Sequence, residues 1–379
     1  GSGVAGLTCG ILLAKEGHSV LILEKNQQIG GALQVFSRDK CIFDTGVHYL
    51  GGLDMGENLH RIFSYLGILN HVEFSKMEQK GFDQIHFPDG FIGKLGMGYD
   101  NFRTLLVKDF PHEEAAIDVF IQKLHETIDF FPLYNLQNSV GYVENMQEVI
   151  HSKLAYDELA SIFSDQRLIH VILGNAMIYA GDMKRTPFYV LALILNSYIK
   201  GSYRLPGGGG LLIKAFVKEF RRYGGEVLKH KEVCQLNVVD NKVVGVICKD
   251  GTAYQGKNVI SNVHPSMTIN LTGETHFKPA YRKRIQNLKN TVSSFSVFLT
   301  LKSESVKYIN HNRYELYTEN PFDTVDYDSA NWPNYLMVST GSTKVNRAFA
   351  NTISILTYMD KSEVEEWSGT FNTVPQPSD

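Results

Sequence analysis

The residues best placed for chemistry stand at the start of the chain. Residues 1 to 6 read Gly1-Ser2-Gly3-Val4-Ala5-Gly6, and Glu24 follows at the end of the next apolar run. Glycines at this spacing, opening a helix, suit a turn that cradles phosphate. Gly1 permits a tight turn, Gly3 lets a pyrophosphate approach the backbone, and Gly6 lets the helix pack closely on its strand. The free N–H groups and the dipole of a helix N-terminus attract the phosphates. Glu24 is placed to accept hydrogen bonds from a ribose diol and would repel a 2′-phosphate. The turn therefore suits FAD or NAD rather than NADP, with Gly1, Ser2, Gly3, Ala5, Gly6 and Glu24 as the cofactor-binding set.

Other chemistry is harder to place. No cysteine pair has metal-ligand spacing, and the 13 histidines include no H-x-x-x-H pair, so no metal site is expected. The four cysteines do not make a disulfide scaffold. Cys234 and Cys248 flank a hairpin turned at Asp240-Asn241. A two-residue turn pairs Val239 with Lys242 and Cys234 with Ile247, which leaves Cys248 on the other face. Four free thiols and a reducing, cytoplasmic compartment follow.

A specific set of elements must hold the opening turn. Val4, Leu7, Cys9, Ile11, Leu12, Leu13 and Ala14 predict a helix ending near Gly17, apolar nearly all round and so buried under a sheet. Ser19 to Leu23 reads as a buried parallel strand that delivers Glu24. A glycine turn of this kind leaves the carboxyl end of a strand, yet the sequence starts at the first glycine. The expectation is a fragment of a longer protein whose first strand lies upstream.

The residues after Glu24 separate FAD from NAD. They read Glu24-Lys25-Asn26-Gln27-Gln28-Ile29-Gly30-Gly31, then Phe43-Asp44-Thr45-Gly46-Val47-His48-Tyr49-Leu50-Gly51. This chain resembles the flavin-dependent amine-oxidase and phytoene-desaturase superfamily, and within it the retinol saturase and carotenoid isomerase branch. The resemblance is strongest over residues 1 to 52 and 203 to 265, and includes the late stretch Thr352 to Trp367. It implies that Glu24, Lys25, Gly30, Gly31 and Ala32 run along the FAD pyrophosphate and ribityl chain. It further implies that Gly46 and Val47 bring backbone to the isoalloxazine ring and that Val233 offers its backbone to adenine. The same resemblance implies a flavoenzyme acting on C–C double bonds of a carotenoid-like or retinoid-like polyene, by saturation, desaturation or cis/trans isomerisation, with NAD(P) a candidate electron donor. His48 is the candidate catalytic residue, able to give a hydrogen bond or proton near the flavin; a lone histidine is more often structural. Two other readings stay open. One is a flavin amine oxidase or porphyrinogen oxidase; the other is a flavin-free prenyl-binding protein of the Rab GDP-dissociation-inhibitor type.

Further along, Glu57 to Gly67 predicts an amphipathic helix, and Phe82–Phe87 with Phe91–Leu95 a hairpin about Pro88-Asp89-Gly90. A helix begins near Pro111, and residues 152 to 200 look helical and apolar throughout. Phe188 to Leu195 is a candidate for resting on a membrane surface, although no basic face supports it. Gly207 to Gly210 either cradle a phosphate or allow close packing beside the cofactor, the second being favoured. Residues 226 to 261 predict a β-meander, followed by Lys257 to Asn262 as a strand ending in small polar residues. Ser293–Leu301, Arg313–Tyr317, Tyr335–Thr340 and Thr352–Tyr358 predict an antiparallel sheet under a substrate cavity. Pro375-Gln376-Pro377 closes the sequence without a further element.

The fold class that emerges is α/β: a Rossmann-like FAD-binding domain, glutathione-reductase-like with a β-meander, carrying an inserted α+β substrate domain. Residues 1–75 and 201–272 form the FAD domain, 76–200 a largely helical cap, and 273–379 the substrate sheet. With 379 residues, 43% hydrophobic and a net charge of −3, the chain is long enough for two such domains. That charge excludes a nucleic-acid partner, which requires a basic stripe. No apolar run reaches the roughly 20 residues that a membrane span needs.

Overall fold

The computed structural model describes residues 1–137, 153–341 and 348–367; Pro375 to Pro377 lie outside them. In chain order the helices are α1 (Val4–Lys15), α2 (Asn58–Leu66), α3 (Tyr99–Asp109), α4 (Glu114–Asp129), α5 (Ala155–Ile162), α6 (Gln166–Ile172), α7 (Phe188–Ile199), α8 (Gly209–Arg222), α9 (Pro265–Thr272) and α10 (Pro279–Gln286). The strands begin with β1 (Leu21–Leu23), β2 (Val35–Arg38), β3 (Cys41–Asp44), β4 (Ser75–Lys76), β5 (Asp83–His86), β6 (Ile92–Leu95), β7 (Tyr203–Arg204) and β8 (Glu226–Leu228). They continue with β9 (Val233–Val239), β10 (Lys242–Cys248), β11 (Ala253–Gln255), β12 (Ser293–Thr300), β13 (Asn312–Leu316), β14 (Tyr335–Gly341) and β15 (Thr352–Met359).

The chain divides into two units. The first comprises Gly1–Tyr49, Leu59–Ser75 and Arg204–Asn290, and the second Leu50–Asn58, Lys76–Tyr203 and Thr291–Asp379. The first unit thus runs on past residue 272, and the short segment after Tyr49 packs with the second.

In the first unit, β1 pairs in parallel with β8, Ile22 opposite Val227. Helix α1 stops where glycine allows it. Gly17 takes φ 85° and the His18 N–H reaches back to the Leu13 carbonyl at 3.1 Å, a glycine C-cap that uses the last free carbonyls. This turn occupies residues that the sequence assigns to the strand, so β1 starts at Leu21 and not at Ser19. The helix is not buried all round, as its composition suggested. Leu7, Ile11 and Ala14 are buried, but Val4 and Leu12 are exposed, because one side packs on β1 and α8 and the other faces solvent. Gly10 makes that packing possible: a Cβ there would sit 3.0 Å from both Ile22 and Phe220.

The meander consists of β9, β10 and β11, antiparallel throughout. Val239 pairs with Lys242 as expected, but the register shifts between Val243 and Gly245, so Ile247 lies opposite Gln235 rather than Cys234. An extra residue on one strand is a bulge, and it displaces every later pair. Cys234 is exposed, Cys248 is buried, and both are free thiols. Residues 257–262 form no strand and join no ladder, contrary to the sequence expectation. Among the described residues no strand lies beside them, and Val259 and Ile260 are exposed.

The second unit is built on one six-stranded sheet in the order β12-β15-β14-β13-β5-β6. Its neighbours are antiparallel except β13 with β5. The expected hairpin β5–β6 therefore does not stand alone. It extends the late sheet, joined through Asn312 opposite Asp83. Period-two burial along β13 and β14 aims Tyr314, Leu316, Tyr335 and Met337 into the core. Helices cover that face closely, since a Cβ on Gly174 would fall 2.1 Å from Ile85. The stretch to residue 200 is not continuously helical. Asp165 ends the first segment and caps α6 by accepting from the Arg167 and Leu168 N–H groups, and Ala180 turns with φ 51°. Within α7, Phe188, Leu191, Ala192 and Leu195 are buried and no residue of Phe188–Leu195 is exposed. Phe188, Leu191, Ala192 and Leu195 thus belong to the core, with Tyr189, Val190, Leu193 and Ile194 half-buried beside them.

Candidate cofactor site

The first unit assembles the opening motif around one carboxylate. Glu24 follows β1, its N–H bonded to the Leu228 carbonyl at 2.9 Å and its carbonyl to the Lys231 N–H at 2.8 Å. Its side chain turns back to the glycine turn. Oε2 accepts from Ser2 N at 3.0 Å and from Ser2 Oγ at 2.5 Å, while Oε1 accepts from Asn26 N at 2.9 Å. The group is 6% exposed. Burial works to raise its pKa, but the hydrogen bonds from Ser2 and Asn26 outweigh burial and hold the carboxyl below its ordinary value. Glu24 is therefore an ionised acceptor, and Oε1 keeps a lone pair for a further donor.

Gly30 and Gly31 close on the same turn. Ser2 Oγ accepts from Gly30 N at 3.3 Å. Gly31 takes φ 56°, and a Cβ there would stand 3.0 Å from Gly3 Cα. Gly3 caps α1 with extended backbone, and its Cβ position lies in ordinary van der Waals range of Asn262 Nδ2, at 3.8 Å. Gly6 serves another purpose than the sequence suggests. A Cβ there would strike the Gly1 carbonyl at 2.1 Å, so its bareness tightens the turn itself, and Gly10 is the residue that lets the helix approach its strand. Ala5 and Lys25 are exposed at the rim.

The next stretch extends this wall. Gly46 passes Ala32 so closely that a Cβ would sit 2.5 Å from the Ala32 carbonyl oxygen. Thr45 fixes that approach, giving its N–H at 3.2 Å and its hydroxyl at 2.8 Å to the Gln34 carbonyl. Val47 and His48 follow, half-buried. The His48 Nε2 is buried with no hydrogen-bond partner. Burial, and then the positive charge of Arg204, push its pKa down to about 4, so the ring is neutral at physiological pH. Val233 opens β9 opposite Cys248, two residues beyond the Lys231 N–H that bonds the Glu24 carbonyl.

Two residues at this site escaped the sequence reading. Asn262, quoted above only as part of a strand, places its amide 3.3 Å from the Gly6 Cβ position. Asp44 caps α8 by accepting from Gly209 N at 2.5 Å. The signal for Asp44 was its place before Thr45-Gly46; the signal for Asn262 was the polar residue ending an apolar run.

The donor set fits an adenosine diphosphate moiety. The glycine turn opens the N-terminus of a 12-residue helix, and the ionised Glu24 carboxylate is bonded to that turn through Ser2. Among the described residues no group of three or more His, Cys, Asp or Glu side chains is arranged to hold a metal ion, and no helix is long and apolar enough to cross a membrane.

Known proteins agree with this geometry. Over 361 residues the chain is 26% identical to the all-trans-retinol 13,14-reductase of Danio rerio, a match spanning 87% of this chain and 58% of the relative. It is 28% identical over 276 residues to the chloroplastic prolycopene isomerase 1 of an Oncidium hybrid cultivar, spanning 69% of this chain and 47% of the relative. The chain thus spans about half the length of these curated relatives. Among solved structures, an oxidoreductase from Methanosarcina mazei shares the fold with a TM-score of 0.68 at 18% identity, over 97% of this chain and 79% of that one. The family model described as flavin containing amine oxidoreductase matches residues 4–352. Since that match runs over most of the sequence, the chain belongs to the flavin-containing amine oxidoreductase family.

Proposed function

We propose that this protein binds FAD and acts on C–C double bonds of a long conjugated isoprenoid of the retinoid or carotenoid kind, by saturation, desaturation or cis/trans isomerisation. The observation that carries the cofactor reading is the Glu24 carboxylate, turned to the glycine turn and bonded to Ser2, with Gly31 against Gly3. The substrate class rests on the relatives, which include a retinol reductase and prolycopene isomerases.

The residues divide the work. Gly1, Gly3, Ala5 and Gly6 present backbone to the pyrophosphate, Ser2 holds the Glu24 carboxylate against the turn, and Glu24 accepts from the adenosine ribose. Lys25, Gly30, Gly31 and Ala32 line the path of the ribityl chain. Gly46 and Val47 offer backbone to the ring, and Val233 offers backbone to adenine. When bound, the flavin supplies the redox chemistry, and the chain supplies binding, orientation and exclusion of water. His48 is neutral at physiological pH, so it acts by donating or accepting one hydrogen bond and not as an imidazolium acid. NAD(P) is the electron donor we assign to a saturating reaction.

The decisive measurement is the visible spectrum of the full-length protein after reconstitution with FAD. An oxidised-flavin spectrum is expected, and Glu24→Ala should lower FAD affinity by about tenfold or more. A colourless wild type would overturn the cofactor reading in favour of a flavin-free binding protein. Incubation with retinol and with carotenoids, followed by chromatography, should then show a mass gain, a mass loss or an isomer shift. Turnover of amines with every polyene untouched would overturn the substrate class.

A further inference from the structure

We propose that Asp44 is a positioning residue for the cofactor: its carboxylate clasps the first turn of α8 to the segment Gly46–His48, and so fixes the wall those residues form. The inference rests on the FAD reading above and adds a residue to it.

The geometry begins with the carboxylate. Asp44 ends β3, and its Oδ1 accepts from Gly209 N at 2.5 Å, joining residues 165 positions apart. Helix α8 has 14 residues, so its first N–H groups carry the positive end of a full helix dipole. A capping side chain ordinarily meets those donors. Here the N-cap is Gly208, which has no side chain and takes φ 83°, and Asp44 supplies the oxygen from another part of the chain.

The glycine run is shaped to admit that oxygen. A Cβ on Gly208 would stand 3.0 Å from Asp44 Oδ1, and one on Gly209 would stand 3.2 Å from the same atom and 3.3 Å from the Leu33 carbonyl oxygen. A Cβ on Gly210 would meet Val35 at 3.0 Å. These approaches account for Gly208, Gly209 and Gly210 by close packing, with the leading donor already taken by a carboxylate. A phosphate at the same helix end would have to displace Asp44.

The clasp also has the right neighbours to matter for the cofactor. Gly3 touches Gly31, Ala32 touches Gly46, Thr45 is pinned to Gln34, and Asp44 reaches Gly209. The first two steps are close approaches that only a small residue allows, the third is a pair of hydrogen bonds, and the last is different. There a side chain bridges from the first segment of the unit to its third. Without that bridge the start of α8 and the backbone of residues 46 to 48 are free to separate, and the spacing along the wall is lost.

The test uses the full chain and three variants, Asp44→Ala, Asp44→Asn and Gly209→Ala. Hydrogen exchange is read without cofactor for amides 45–49 and 208–212, and FAD affinity is read by quenching of flavin fluorescence. Asp44→Ala should speed exchange in both segments and weaken FAD by about tenfold, the loss of one charge-assisted bond. Asp44→Asn keeps an acceptor and should return FAD affinity to within about twofold of wild type. Gly209→Ala pushes on the same oxygen, so it should weaken FAD in the wild-type background and add little to Asp44→Ala. Should Asp44→Ala fail to fold, Asp44→Asn and Gly209→Ala still decide the matter. Wild-type FAD affinity in Asp44→Ala or in Gly209→Ala overturns the positioning role, as does a folded Asp44→Asn that binds FAD no better than Asp44→Ala. A wild type that takes up no FAD overturns the functional reading beneath it, while unchanged exchange in Asp44→Ala overturns the clasp alone.

Discussion

Two half-buried groups on one short segment respond to pH in opposite directions. His48 titrates near 4 when folded, against an ordinary value of 6.5. The folded chain therefore resists its proton. The stability that the neutral ring contributes is complete above 6.5 and is lost as pH falls through about 4. Asp44 is pushed up to about 6 by burial, which the Gly209 N–H only partly opposes. Its contribution is complete below the ordinary carboxylate value, 3.8, and is lost as pH rises through about 6. Asp44→Asn should thus gain on wild type between about pH 4 and pH 7, by up to about 3 kcal/mol, in denaturant unfolding. His48→Gln should gain on wild type in the other direction, as pH falls from about 7 to 4. A histidine NMR titration should show no His48 transition near 6.5. At this scale the glycines and Glu24 were legible because their function depends on spacing within one short segment. Asp44 and Asn262 were not, because their partners lie in distant parts of the sequence, and no local pattern encodes a meeting across such a gap.

Elements were legible in proportion to how local their causes are. The hairpin β5–β6 and the Asp240-Asn241 turn follow from turn residues between apolar runs, and both form. The bulge near Val244 leaves no such mark, so the meander register was misread beyond it. Lys257–Asn262 has the composition of a strand, yet a strand also needs a neighbour to bond. The apolar face of α7 was equally readable as core or as membrane surface, because composition does not say what it packs against. Caps supplied from far away are the clearest test of tertiary control. Glu113 is buried, and its Oε1 accepts from Ser164 N at 2.7 Å, from Ser164 Oγ at 2.5 Å and from Asp165 N at 2.6 Å, just ahead of α6. Glu113→Ala should cost about 2 to 3 kcal/mol in chemical denaturation, and Glu113→Gln clearly less. Gly174→Ala should cost about 1 to 3 kcal/mol by forcing a methyl into Ile85, and Ile85→Val should recover part of it.

For the whole molecule, the inserted arrangement follows from motif order along the chain, which a sequence displays directly. The sheet order does not, since β5 and β13 meet across more than two hundred residues. Bound FAD should stabilise the first unit by mass action, by about 2.7 kcal/mol at a hundredfold excess over its dissociation constant. A thermal-shift series with rising FAD should show this, and Glu24→Ala should flatten it.

The first unit is written in three pieces, the last ending at Asn290. During synthesis residues 1–49 emerge long before the third piece that they fold with. At about 5 to 20 residues per second, the wait is roughly ten to fifty seconds. Val4 and Leu12 stay exposed even in the folded unit, so this segment offers an apolar surface to chaperones throughout that interval. Slowing the ribosome within residues 50–203 should therefore lower soluble yield more than slowing it after Asn290.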